Sequence, residues 1–217
     1  MLSRGEFCNF VENITNMLQF ITDPTSQRPI TEQVKEAIAG GCRWIELSEY
    51  TDKRLTDKNA DLRQVAEELM PVCRDAEVFL MIDNDVELVA ELHNHGVHLA
   101  SADRSATMKV RELLGAHAVI GVGCVLASDA IALRGTDVDY VTFAVEPTEA
   151  GIAAFAKIAA EVKAADTGLH IVARGEFSPE QLPAVLAAGA SGVAISTSIA
   201  AADDPRKAVE EILEALS

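Results

Sequence analysis

The stretch 187-AAGASGVAISTSI-199 decides the fold class of this chain. A glycine closes a helix-compatible segment, the short apolar run 191-SGVAIS-196 follows, and hydroxyl side chains come directly after it. Short runs of this kind, bounded by small or polar residues, are typical of buried parallel strands. The unit therefore predicts a strand that leads into a polar turn, as found in α/β proteins.

The same unit recurs along the whole chain. Seven further apolar runs precede the one quoted above: 18-LQFIT-22, 43-RWIEL-47, 78-VFLMI-82, 96-GVHLA-100, 118-AVIGVG-123, 139-DYVTF-143 and 169-LHIVA-173. Segments with helical spacing, such as 61–73 and 148–165, separate these runs. Eight strands alternating with eight helices predict an α/β fold, a (β/α)₈ TIM barrel over residues 18–217. Residues 1–17 are predicted to form a short N-terminal helical extension. An open doubly wound sheet is the alternative, but no GxGxxG follows the first strand.

Composition and charge restrict the partners. The 217 residues are 49% hydrophobic and only 5% aromatic, and the net charge is -16. Such an acidic chain lacks the basic surface that nucleic acids or anionic membranes require. No segment resembles a signal peptide or a membrane span, and the four cysteines show no CxxC spacing. We therefore expect a cytoplasmic protein with reduced thiols, with a homodimer as one open possibility.

The last two strand ends predict a phosphate site. In a barrel of this class the functional groups lie on the turns after the strands, and phosphates favour the turns after strands seven and eight. Arg174-Gly175 and Ser196-Thr197-Ser198 stand at those positions. They offer small residues, hydroxyl donors, backbone N–H groups and one cation. The alternative is that the Ser-Thr-Ser run only caps the following helix.

Carboxylates after strands three and four predict a metal site. Asp83 and Asp85 follow one strand and Asp103 follows the next, and hard oxygen ligands suit Mg²⁺. Alternatively, Asn84 or Asp85 caps the helix that follows strand three and Asp103 caps the next helix, and both interpretations stay open. The three histidines nearby are interpreted as structural residues, because they fall on different parts of the helix, turn and strand; they are His93, His95 and His98.

From about Leu18 to Pro205 the chain resembles thiamine-phosphate synthases and their thiazole-tautomerase relatives. The resemblance is carried by LQFITD, by GGCRWIEL where the family has a glycine pair leading into QLRxK, and by DNDVELVAELHNHGVHLASAD, which matches an Asn-Asp motif followed by GVHLGQxD. It ends on RGE in place of a double glycine, and on AAGASGVAISTSIAAADDP, close to the phosphate-binding end of the family.

The resemblance implies a reaction and a set of site residues. The reaction joins a pyrimidine-methyl diphosphate to a thiazole phosphate, with Mg²⁺ assisting the departure of diphosphate. Position by position, Asp103 matches one Mg²⁺ ligand and Asn84 or Asp85 the other. Gly175 and the hydroxyl run match the site for the thiazole phosphate.

The diphosphate half departs from the family pattern. The positions of its motif are Glu46, Ser48, Tyr50 and Asn84, and the family's Arg and Lys are replaced by Ser48 and Tyr50. Lys53 and Arg54 are the cations that could substitute for them. Three functions follow as hypotheses: a divergent synthase, a catalytically silent binding or regulatory barrel for a phosphorylated metabolite, and a thiazole phosphate tautomerase. The expected partner is a small phosphorylated heterocycle.

Overall fold

Eight parallel strands close into a barrel in the computed structural model, which describes residues 17–48 and 62–217. Each strand pairs with the next along the chain, and the last pairs with the first. All eight predicted runs are confirmed as strands, and so is the (β/α)₈ barrel. The strands are β1 (Met17–Ile21), β2 (Trp44–Leu47), β3 (Phe79–Asp83), β4 (Gly96–Leu99), β5 (Val119–Cys124), β6 (Tyr140–Ala144), β7 (His170–Arg174) and β8 (Gly192–Ile195).

Helices surround the barrel, and within the described residues they are α1 (Ile30–Ala39), α2 (Leu62–Asp75), α3 (Val86–Leu92), α4 (Arg104–Leu114), α5 (Ala127–Ala132), α6 (Glu149–Ala164), α7 (Leu182–Ala187), α8 (Thr197–Ala200) and α9 (Pro205–Leu216). A 3₁₀ turn, Pro179–Gln181, leads into α7. None of these helices has both the length and the apolar character that crossing a bilayer requires. The predicted N-terminal extension falls almost wholly outside the described residues, and Met17 already belongs to β1.

The apolar side chains form two separate layers. Alternate strand residues pack outward against the helices, where they form the large buried cluster between sheet and helices. The other residues point into the barrel, where Trp44, Met81, Tyr140 and Val172 are fully buried. The Trp44 and Tyr140 rings meet edge to face with centroids 4.7 Å apart. Gly121 makes room for them, since a Cβ there would lie 2.1 Å from Tyr140 Cζ.

The barrel interior changes from apolar to polar toward the carboxyl ends of the strands. Because side chains two residues apart share a face of a strand, Glu46 follows Trp44 into the interior and Asp83 follows Met81. By the same rule Thr142 follows Tyr140. A polar layer thus lies directly above the packed interior and below the turns that carry the predicted site.

Candidate functional site

A cluster of two carboxylates and one imidazole lies inside the barrel at the ends of β2, β3 and β4. Its members are Glu46, Asp83 and His98, and one ligand-type atom from each lies within 4.8 Å of the others. His98 Nδ1 is 3.7 Å from Glu46 Oε1 and 3.7 Å from Asp83 Oδ1. The side chains of Glu46 and His98 are 0% and 2% exposed, whereas that of Asp83 is 18% exposed. The cluster is therefore closed from below and opens only on the side of Asp83.

Neighbouring polar side chains orient this cluster. The Gln19 amide donates to Glu46 Oε2 over 2.9 Å, and the same nitrogen lies 3.0 Å from the Tyr140 hydroxyl. His98 Nε2 lies 3.0 Å from Thr142 Oγ1. These contacts use one oxygen of Glu46 and one nitrogen of His98. Among the described residues, Glu46 Oε1 and His98 Nδ1 have no hydrogen-bond partner.

Burial and mutual charge control the ionisation of the pair. Burial raises the pKa of Glu46, because the carboxylate loses water, and the nearby imidazolium of His98 only partly offsets this effect. Burial opposes the charged form of His98, but the carboxylates of Glu46 and Asp83 outweigh it and raise its pKa. The raised pKa values of Glu46 and His98 indicate that the two side chains hold a proton firmly when no other cation is present.

The turn after β3 fixes Asp83 beside His98. Asn84 adopts a left-handed backbone with φ 58°, which Asn tolerates better than most residues. Its side-chain oxygen accepts the Ala100 N–H at 2.8 Å, which ties the turn to the end of β4. Its Nδ2 donates to Asp83 Oδ1 at 3.0 Å. The amide of Asn84 thus holds the Asp83 carboxylate in place.

The two residues predicted as metal ligands both cap helices. Asp85 Oδ1 accepts the Leu88 N–H at the start of α3, and Asp103 Oδ1 accepts the Ala106 N–H at the start of α4. Helix capping uses only one carboxylate oxygen of each residue, so it is compatible with metal binding through the other oxygen. Their role in metal binding stays a prediction. The three-residue cluster that the fold assembles inside the barrel contains neither of them.

The predicted phosphate turn is occupied by a carboxylate. Glu176 reaches across from the turn after β7 and accepts the N–H groups of Ser196, Thr197 and Ser198 at 3.3, 3.1 and 2.7 Å. The Ser198 hydroxyl donates to the same carboxylate at 2.6 Å. Three consecutive backbone donors and one hydroxyl thus converge on an anionic group.

The structure gives Gly175 and Arg174, which were predicted to bind phosphate, interactions within the protein itself. A Cβ on Gly175 would lie 2.5 Å from the Val145 carbonyl oxygen, so only glycine fits, but its N–H donates to the Ala194 carbonyl. Gly175 therefore contributes close approach, and its N–H is already used. Arg174 is exposed at the end of β7, and its charge helps to lower the pKa of Glu46 toward ionisation, against the larger effect of burial.

A second carboxylate lies near the turn. Burial opposes ionisation of Asp23, but hydrogen bonds from Thr25 and from the Thr197 side chain outweigh it, so the pKa of Asp23 lies below its ordinary value. The hydroxyl of Thr197 therefore also serves a carboxylate. In the described structure the hydroxyl run is an anion-binding turn whose donors are engaged by the chain's own acidic side chains.

The predicted diphosphate positions are only partly described. The Ser48 N–H donates to Thr22 Oγ1 at 3.0 Å, which fixes the end of β2 beside β1. Tyr50, Lys53 and Arg54 lie outside the described residues. Their predicted roles stay predictions.

The sequence prediction missed the grouping of His98 with Glu46 and Asp83. His98 was interpreted as structural, and it does lie apart from the other two histidines: His95 Nδ1 accepts the Leu80 N–H, and His93 ends α3. The missed signal was strand alternation, since these three polar residues stand at inward positions near the ends of consecutive strands.

Closed barrels with polar groups at the carboxyl ends of their strands are a class of protein whose functional sites lie at that end. Comparisons with known proteins narrow the class. A family model described as "Thiamine monophosphate synthase" matches residues 18–199. The chain belongs to this family, as the sequence resemblance predicted.

Individual relatives agree with the family. Thiamine-phosphate synthase from Bacteroides thetaiotaomicron is 32% identical over 206 residues, covering 90% of this chain and 95% of that protein. The enzyme of the same name from Halorhodospira halophila is 32% identical over 197 residues, covering 87% of this chain and 90% of that protein. The structure of thiamine phosphate pyrophosphorylase from Pyrococcus furiosus superposes with a TM-score of 0.77 at 25% identity, covering 95% and 97% of the two chains.

Proposed function

We propose that the protein joins a pyrimidine-methyl diphosphate to a thiazole phosphate in thiamine biosynthesis. Membership of the family supports this transfer, and one observation of the site carries it. Three consecutive N–H groups and the Ser198 hydroxyl already converge on a carboxylate at the place where a barrel of this class binds phosphate. A turn that holds an anionic side chain with four donors has the chemistry to hold a phosphate after that side chain moves away.

The residues of the chain bind and orient the substrates in this proposal. The turn of Ser196–Ser198 holds the thiazole phosphate, and Gly175 lets the neighbouring turn pack closely against the Val145 carbonyl beside it. Arg174 projects at the same edge of the barrel, where its guanidinium supplies a cationic contact to a phosphate. The buried interior below excludes bulk water, which strengthens the electrostatic contacts above it.

Mg²⁺ fits the donors at the ends of β3 and β4. Asp85 and Asp103 are exposed there, and capping engages only one oxygen of each. Carboxylates that retain one oxygen suit a hard cation that keeps several waters and phosphate oxygens in its shell. A bound Mg²⁺ would neutralise the charge that develops on a departing diphosphate.

Product formation tests the proposal. Purified protein is incubated with the pyrimidine-methyl diphosphate, thiazole phosphate and Mg²⁺, and thiamine phosphate is quantified after oxidation to its fluorescent product. We expect turnover, and we expect S198A to raise KM for thiazole phosphate because it removes a donor. S191A is the matched control, because Ser191 lies at the opposite end of β8, where its hydroxyl accepts the Ile171 N–H. Absence of product above the protein-free reaction would exclude the enzymatic proposal, and binding without product would identify a silent barrel.

A further inference from the structure

We propose that Glu46, Asp83 and His98 form a binding site for a divalent transition-metal ion of the Zn²⁺ class, inside the barrel and separate from the acidic residues at the helix starts. One imidazole nitrogen and two carboxylate oxygens from three adjacent strands lie within 4.8 Å of one another. A mixed nitrogen and oxygen donor set suits Zn²⁺, Mn²⁺ or Fe²⁺ better than Mg²⁺, which prefers oxygen alone.

The spacing of the ligand atoms matches such an ion. Ligands at Zn²⁺ distances of about 2.0–2.2 Å lie roughly 3.3–3.6 Å apart in a tetrahedral shell. His98 Nδ1 is 3.7 Å from an oxygen of each carboxylate. These two distances exceed such a spacing by about 0.1–0.4 Å, and the two carboxylate oxygens, which lie within 4.8 Å of each other, would have to approach by at most about 1.5 Å to complete the shell. Of these atoms, Glu46 Oε1 and His98 Nδ1 have no hydrogen-bond partner among the described residues.

The unpartnered atoms identify the same space independently. Glu46 and His98 are almost fully buried, and buried polar atoms are normally paired. Yet Glu46 Oε1 and His98 Nδ1, the two atoms that face each other, have no hydrogen-bond partner among the described residues. Removing a carboxylate from water costs several kcal/mol unless a cation or donors replace the water. A metal ion satisfies both atoms at once.

The outer contacts are those that a metal site needs. When Nδ1 binds a metal, the proton resides on Nε2, which can then donate to Thr142 Oγ1 at 3.0 Å. The Gln19 amide donates to Glu46 Oε2 and leaves Oε1 directed at the imidazole. Metal-bound histidines and carboxylates are typically held by partners of this kind. The supporting shell is thus already in place.

The site keeps one side open. Asp83 ends β3 and is partly exposed, whereas the other two ligands are closed off by the packed interior. Three protein ligands with one open position are characteristic of zinc sites that bind water or substrate. The ligand of this site is therefore a divalent metal ion that carries water on the side of the barrel mouth.

Cobalt spectroscopy on the full-length protein tests the site without measuring activity. Apoprotein prepared with EDTA is titrated with Co²⁺ in excess Mg²⁺, which saturates all-oxygen sites, and the visible absorption of Co²⁺ is recorded. We expect one equivalent with the intense bands of a low-coordinate site, and we expect Zn²⁺ to displace it. H98Q and E46Q should each weaken binding by more than about 100-fold, and T142V by about 10- to 100-fold, since outer contacts contribute that much.

Two matched controls locate the metal. D103N keeps the helix cap but removes the carboxylate predicted for Mg²⁺, and H117Q removes an exposed histidine. Both should bind Co²⁺ like the parent protein. E46Q is isosteric, so thermal unfolding in EDTA shows whether it is folded, and D83N serves as a second test. Absence of low-coordinate bands in the parent protein, unchanged binding in E46Q and H98Q, or loss of binding in D103N would each overturn the proposal; the first would show that the cluster holds only a proton.

Discussion

Replacing the Glu176 carboxylate by an amide should tighten phosphate binding while it destabilises the fold. In the structure this carboxylate occupies the donors of the Ser196–Ser198 turn, so a phosphate must displace it. E176Q keeps the size of the side chain but removes the charge that competes for those donors. The amide oxygen can still accept the two donors that one carboxylate oxygen accepts, but the NH₂ group would face the other two donors. The turn is therefore less well satisfied in the free variant and more accessible to an anion.

The magnitude follows from the contacts. A side chain that caps exposed backbone donors contributes about 0.5–2 kcal/mol, which the parent protein loses when phosphate enters. The displaced carboxylate also stays near the phosphate, where two unit charges 4 Å apart repel by about 1 kcal/mol at the dielectric constant of water. Together these effects amount to about 1.5–3 kcal/mol, or roughly 10- to 150-fold in Kd. The free energy of unfolding should fall by about 1 kcal/mol from the lost cap.

Calorimetric titration with inorganic phosphate and with thiazole phosphate, at fixed ionic strength, measures the first effect. Denaturant unfolding measures the second. E180Q is the matched control, because Glu180 lies four residues further along in the 3₁₀ turn, is also a glutamate, and accepts the Ser178 hydroxyl instead of the donors of the Ser196–Ser198 turn. Tighter phosphate binding together with lower stability would indicate that phosphate normally displaces the Glu176 carboxylate, because general damage to the fold would weaken both binding and stability. Unchanged or weaker binding in E176Q, or equal tightening in E180Q, would refute the reasoning.

Three further predictions concern the scaffold of the site. N84A should be about 1 kcal/mol less stable than N84G in denaturant unfolding, because both lose the same hydrogen bonds but only alanine resists the left-handed backbone at φ 58°; equal stabilities would contradict this. G121A should lower the free energy of unfolding by about 1–3 kcal/mol or more, because its Cβ would lie 2.1 Å from a ring carbon of Tyr140. G123A should lower it less, because the nearest atom to its Cβ is a carbonyl oxygen at 3.1 Å. A larger loss of stability in G123A than in G121A would contradict this account of the packing. Burial lowers the pKa of His95 from 6.5 to about 4, so between these pH values the unfolded chain binds a proton that the folded chain does not. The free energy of unfolding, measured relative to H95Q, should therefore fall by up to about 3 kcal/mol as the pH drops from 6.5 toward 4. A difference that does not change with pH would show that His95 titrates normally.

The barrel was predictable from the sequence because its signal is local and repeated. Each buried strand must be apolar on both faces, and each helix on one, so the alternation is written into every segment. The runs at 43–47 and 139–143 are confirmed as β2 and β6 within about one residue. Residues 1–17 carried no such repeat, and the predicted extension there stays a prediction.

The site was less predictable because it depends on which side chains face each other across strands. The hydroxyl run after β8 showed that an anion could bind there, but it did not show that Glu176 reaches it from the neighbouring turn. Similarly, Asp83 was grouped with Asp103 from their positions at strand ends. The register of β3 against β4 pairs Asp83 with His98 instead, which no pattern within one strand reveals.

The distribution of charge links these observations. Glu46 and Asp83 lie within the barrel and Glu176 lies at the phosphate turn, whereas Arg174 lies at the same edge and Arg28 donates to the Ala200 and Ala202 carbonyls nearby. The carboxylates of Glu176 and Asp83 repel an incoming phosphate or diphosphate unless further positive charge is present, whereas His98 offsets the charge of Glu46. That charge must arrive with the ligands, as Mg²⁺ or an interior metal ion, or come from cations elsewhere in the chain such as Lys53 and Arg54. Calorimetric titration with phosphate in EDTA and in excess Mg²⁺ distinguishes these sources, because the phosphate affinity depends on divalent cations only where they supply the charge.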